Sequence, residues 1–143
     1  MKLNFRLLML IVIVSVLSLS ACAPAAAPED ETKPVSLEPV TGTDLNRITL
    51  TEEAAKRLDV QTAEVREADG KMAVPYASIL YEANGNTWVY VNVAPLVFVR
   101  QAIVIDSING DEAILSKGPA SGSTVVTVGA AELYGSESEF EEE

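Results

Sequence analysis

The chain contains no histidine and a single cysteine, Cys22, in 143 residues. The first absence excludes Ser-His-Asp and Cys-His catalysis and every histidine-ligated metal site. The second excludes an internal disulfide and the multi-cysteine zinc patterns. Basic residues are also scarce, 10 Lys and Arg against 21 Asp and Glu, for a formal charge of −11. A chain this acidic lacks the counterion-releasing surface that nucleic acid requires, so no nucleic-acid partner is expected. These absences leave a binding, tethering or assembly role, with no catalytic residue, metal or cofactor expected.

The amino-terminal segment is of a different kind. Lys2 and Arg6 precede an apolar run over residues 7–14, and residues 15–21 mix apolar and small side chains. This is the charged, apolar and small-residue order of a secretory signal. The run is shorter than the roughly 20 apolar residues of a membrane-spanning helix. Its end, Leu19-Ser20-Ala21-Cys22, resembles the lipobox of bacterial lipoproteins, in which the cysteine is acylated and becomes the new amino terminus. Residues 1–21 are therefore read as a lipoprotein signal peptide and Cys22 as a lipidation site that ties the chain to the bilayer. Acyl chains contribute about 0.8 kcal/mol per buried CH₂, so two or three of them hold firmly. The expected location is the cell envelope, anchored on the outer side of the cytoplasmic membrane or in the periplasm.

Charge and proline divide the remainder. Residues 22–45 carry Pro24, Pro28, Pro34 and Pro39 among acids and small residues, and they read as a disordered linker. Residues 136–143 hold five glutamates and read as a solvated acidic tail with no buried area. Between them, residues 46–135 have an ordinary globular composition and form the predicted domain.

Within that domain Ile48-Thr49-Leu50 is a short strand candidate. Residues 52–58 read as a short helix, capped by Thr49 or Thr51, with Leu50, Ala54 and Leu58 on one stripe. Glu52 and Glu53 sit where the helix dipole is positive, and Lys56 and Arg57 where it is negative. Beyond it the pattern alternates as strands do. Residues 60–66, 71–74, 77–81, 87–93, 96–105, 112–115 and 124–128 are candidates, with Pro75 ending one of them. Asn84-Gly85 predicts a type I′ hairpin and Asn109-Gly110 a second tight turn; Gly85, Gly110 and Gly122 are the turn glycines. The pattern predicts a mainly β fold, a small barrel or sandwich of about seven strands with one short helix.

Several of these segments together resemble the membrane-proximal domain of periplasmic adaptor subunits, the membrane fusion protein family of RND-type efflux systems. The segments are Ile48-Thr49-Leu50-Thr51-Glu52-Glu53 with Val60-Gln61-Thr62-Ala63-Glu64-Val65, then Val74-Pro75-Tyr76-Ala77-Ser78-Ile79 and Gly85-Asn86-Thr87-Trp88-Val89-Tyr90-Val91. Phe98-Val99-Arg100-Gln101-Ala102-Ile103-Val104, Gly110-Asp111-Glu112-Ala113-Ile114-Leu115 and the run from Gly118 to Gly129 follow in the family's order. Pro119 departs from the family's usual Leu. The larger departure is that only residues 66–73 stand where an adaptor carries its lipoyl-like sandwich and helical hairpin. The resemblance implies a docking role on a membrane transporter or other membrane protein, without the reach to bridge two membranes.

Trp88, Tyr90 and Arg100 are the candidate partner contacts, the two aromatics on condition that they are exposed. Arg100, which interrupts an apolar strand, is also expected to pair with Glu82 or Asp106. Glu64, Glu67 and Asp69 lack the spacing of a calcium loop and read as a solvated turn. Ser116-Lys117 adjoin but point to opposite faces of a strand, which argues against a Ser-Lys enzyme. The leading expectation is a lipid-anchored accessory protein. The alternative is a stand-alone ligand-binding or sensing lipoprotein on the same scaffold, and a shortened remnant is a third reading.

Overall fold

The computed structural model describes residues 33–139. The signal segment and Cys22 lie outside the described residues. Eleven strands run in the order β1 (Val35–Pro39), β2 (Asn46–Leu50), β3 (Gln61–Glu64), β4 (Arg66–Ala68), β5 (Lys71–Pro75), β6 (Leu80–Tyr81), β7 (Thr87–Ala94), β8 (Val97–Ala102), β9 (Val104–Asn109), β10 (Glu112–Lys117) and β11 (Thr124–Val128). Helix α1 (Glu52–Arg57) follows β2, and helix α2 (Ala130–Glu139) follows β11. The strands form two antiparallel sheets. The larger is ordered β1-β2-β8-β7-β11-β3, with β6 paired to β7, and the smaller is ordered β4-β5-β10-β9. The mainly β class with a short helix is the one observed. Among the described residues no helix is long and apolar enough to cross a membrane.

Two sequence runs expected as single strands each serve both sheets. The first leaves the large sheet after Glu64 and enters the small sheet at Arg66; the second leaves after Ala102 and enters at Val104. The residues at the crossings, Val65 and Ile103, are buried in the same apolar cluster as Val74, Val89, Ala113, Leu115 and Val125. A strand that changes sheet at one buried apolar residue makes the corner of a sandwich. These two breaks, with β1, account for the strands beyond those expected.

The large sheet is covered on both faces. Val89 and Val125 point into the cluster shared with the small sheet. Their neighbours Tyr90 and Val126 point the other way, into a second cluster with Ile48, Leu50, Phe98, Ala54 of α1 and Leu133 of α2. Alternation along a strand thus divides β7 and β11 between two cores. Full burial of an aliphatic side chain such as Leu133 contributes about 1.5–3 kcal/mol.

Helix α1 forms as its residues dictate. Thr51 is the cap, and its hydroxyl accepts the Ala54 N–H at 3.1 Å. Glu52 and Glu53 occupy the first turn and Lys56 and Arg57 the last. Helix α2 follows from Gly129, whose φ of 91° is closed to most side chains. A Cβ there would lie 3.2 Å from Val60 Cγ2.

Four expectations are corrected. Residues 35–39, assigned to the disordered linker, are strand β1, in register from Val35 opposite Leu50 to Pro39 opposite Asn46. Val35 and Leu37 pack on the core, and Pro39 is tolerated because the strand lies at the sheet edge. The Asn84-Gly85 hairpin is not type I′. Only Gly85 has positive φ, at 88°, while the Asn84 side chain accepts the Asn86 N–H at 2.8 Å, giving a longer loop between β6 and β7. Residues 77–78 lie in a 3-10 turn (Tyr76–Ser78), and Gly110 and Gly122 have φ of 60° and 84°. The acidic tail begins inside a helix: Ser136 to Glu139 belong to α2, and Glu137 is buried in the domain.

Candidate functional site

The site is built on the β7–β8 pair. Tyr90 stands opposite Arg100, and Trp88 stands opposite Ala102 one step along the same face. Neighbouring strands of one sheet thus bring Trp88 diagonally beside Arg100. The Arg100 guanidinium carbon lies 4.7 Å from the centroid of the Trp88 ring and 5.4 Å from that of Tyr134 on α2. Two carboxylates complete its surroundings. Arg100 Nη1 reaches Glu82 Oε1 at 2.5 Å, and Arg100 Nε lies 3.4 Å from Glu137 Oε2. The Arg100 side chain is 10% exposed and that of Glu137 is 1% exposed.

Glu137 is buried beside Tyr90. The Tyr90 hydroxyl donates to its Oε2 at 2.7 Å, and the Asn46 backbone N–H donates to its Oε1 at 3.3 Å. One carboxylate is thereby received by a phenol, a guanidinium and a main-chain amide from three strands. Burial raises the Tyr90 pKa far above its ordinary value, and the adjacent Glu137 carboxylate raises it further. For Glu82, burial pushes upward. The Trp88 indole, the Asn84 and Asn86 amides and the Arg100 charge outweigh that burial and hold the carboxyl below its usual range. Trp88 Nε1 and Arg100 Nε are both buried donors without a partner in full hydrogen-bond geometry among the described residues. The indole N–H acts on Glu82 as a nearby dipole and the Nε–Glu137 contact as an ion pair. In this network one cation is held between two carboxylates.

The structure therefore brings Trp88, Tyr90 and Arg100 together, but as an interior network. Tyr90 is fully buried, so it is not a partner contact, because its ring fills the core and its hydroxyl is held by Glu137. Trp88 is half-buried and Arg100 is enclosed. Of the two acids expected for Arg100, Glu82 is the one that pairs; Asp106 lies in the small sheet and pairs with Lys71 at 2.7 Å. Sequence reasoning missed Glu137, Tyr134 and Asn46. The available signal was Ala130, Leu133, Tyr134 and Glu137, the spacing of one helix face, which the acidic composition of the terminus concealed.

The exposed aromatics are others. Tyr76 and Tyr81 are 43% and 53% exposed, with ring centroids 6.4 Å apart. An open groove of about 610 Å³ lies between Gly85–Trp88 and Ala102–Ile105. Among the described residues no group of three or more acidic or cysteine side chains is placed to hold a metal ion. Compared with protein-family models, with curated proteins and with solved structures, the chain matches none.

Proposed function

We propose that the chain is a lipid-anchored accessory protein of the cell envelope, resembling a shortened efflux-pump adaptor, that docks on a membrane transporter from outside. The observation that carries the reading is the ordered set of adaptor-like segments in the sequence between Ile48 and Gly129. The lipobox-like sequence before Cys22 supports the tether. Exposed aromatic side chains are the residues that most often anchor an interface, so Tyr76 and Tyr81 take the contact role first assigned to Trp88 and Tyr90.

The test is crosslinking in native membranes, set against an unrelated domain carrying the same lipid anchor. Enrichment of an integral membrane transporter, reduced by Tyr76→Ala with Tyr81→Ala, is the expected result. No enriched membrane protein would sink the docking reading and move the stand-alone binding lipoprotein ahead. The Cys22→Ser chain should then lose fatty-acid labelling, and unchanged labelling would remove the tether.

A further inference from the structure

We propose that Asn109, at the tip of the β9–β10 hairpin, is a site of spontaneous covalent modification, deamidation to aspartate and isoaspartate. Asn84, which is also followed by glycine, is protected from the same reaction by Glu82. The inference stands apart from the transporter-docking reading, because it rests on the two Asn-Gly pairs alone.

The reaction needs only the chain and water. The main-chain nitrogen of Gly110 attacks Cγ of Asn109. A new N–Cγ bond closes a cyclic imide, the Cγ–Nδ2 bond breaks, and Nδ2 leaves as ammonia with the proton that Gly110 N gives up. Water then opens the imide at either carbonyl. One opening restores the main chain with an aspartate side chain. The other routes the main chain through the side-chain carbon, as isoaspartate. Nothing is oxidised or reduced. Glycine favours the attack because no Cβ hinders its nitrogen.

Crowding does not separate the two sites. Asn84, Gly85, Asn109 and Gly110 are all exposed, and a Cβ added at either glycine would meet nothing within 4 Å. Hydrogen bonding separates them. At the first site the nucleophile is occupied, since the Gly85 N–H donates to the Glu82 carbonyl at 2.9 Å. The electrophile is occupied as well: Asn84 Oδ1 accepts the Asn86 N–H at 2.8 Å, and Asn84 Nδ2 donates to Glu82 Oε2 at 3.2 Å. Glu82 is itself fixed by Arg100. At the second site the Gly110 N–H has no main-chain acceptor among the described residues. Asn109 faces Glu112 across a two-residue turn, in which Gly110 has φ of 60°. Strand β9 ends the small sheet and is paired on one side only, so its tip turns toward the attack geometry without disturbing a second neighbour.

Each contact at Asn84 has to be given up before attack, and such costs enter a rate exponentially. Asn109 should therefore convert at least tenfold faster than Asn84 in the folded chain. Either product adds a negative charge beside Asp111 and Glu112, on the rim of a small cleft that holds Asp69, Asp106 and Lys71.

The experiment incubates the purified full chain at mildly alkaline pH and follows both sites by peptide mass spectrometry. Isoaspartate is assigned with a carboxyl methyltransferase specific for it. The same measurement is made in denaturing urea, where the hydrogen bonds are absent and the two rates should converge. Asn109→Gln should abolish the isoaspartate signal from the β9–β10 peptide. Equal rates in the folded chain, faster conversion at Asn84, or no conversion at Asn109 would overturn the proposal. A rate ratio that persists unchanged in urea would overturn the protective role of Glu82.

Discussion

The two helices of this domain are made in opposite ways. Helix α1 is consistent at every local level: a Thr51 cap, acids in the first turn, bases in the last and Ala54 facing the core. Helix α2 is inconsistent at nearly every one. It carries an internal glycine, has acids at its negative end, and buries a carboxylate on its inward face. Both pack on the same apolar cluster. The difference teaches that a helix can be specified by its own residues or by the seat that receives it. In the second case the seat has to be polar and well matched. A buried carboxylate is costly to hold unless charge and hydrogen bonds compensate it. Arg100, Tyr90 and the Asn46 amide supply that compensation.

The comparison breaks most readily at Arg100. Replacing it by Ala leaves Glu82 and Glu137 enclosed without their cation, a change that costs about 3–5 kcal/mol for a buried pair. The thermal midpoint should fall by about 4–8 °C for each kcal/mol lost. Amide exchange should show α2 opening before the sheets. A small shift with α2 still protected would mean that α2 is held by Leu133 alone.

Tyr90→Phe is the next largest. It removes one hydrogen bond to a charged acceptor, worth about 1.5–3 kcal/mol. The same residue sets an alkaline limit. Its folded pKa is raised, so its contribution is complete below the unfolded value near pH 10 and is lost as pH climbs past it. Denaturant midpoints should fall above about pH 10 in the natural chain and less steeply in Tyr90→Phe; parallel curves would remove this role. At the acid end the sign reverses. Glu82 is held below its ordinary range, so its contribution is present above the unfolded carboxyl value and is lost as pH falls through the folded one.

The smallest effects test what each helix owes to its own residues. Thr51→Ala removes the cap of α1 and should cost about 1 kcal/mol, measured by urea denaturation. Gly135→Ala should stabilise the chain by about 0.5–1 kcal/mol, because an added Cβ meets nothing within 4 Å and the helix gains propensity. A loss on Gly135→Ala would show that α2 needs its flexibility in place.

Legible in the sequence were the mainly β class, the position of α1 with Thr49 or Thr51 as its cap, and the strand that ends at Pro75. Each is written in neighbouring residues or in a period of two, and local sterics and hydrogen bonds act at that range. Tertiary structure alone decided three things. It recruited residues 35–39 as an edge strand, because Val35 and Leu37 find apolar partners only once β2 is present. It divided two long runs between sheets at Val65 and Ile103, whose burial depends on the opposite sheet. It folded the acidic terminus into α2, because Glu137 meets Tyr90 across 47 positions of chain, and no local pattern encodes a carboxylate's distant partners. The free energy of a buried charge is set by what surrounds it in space, so its place in the fold is settled only when those surroundings assemble.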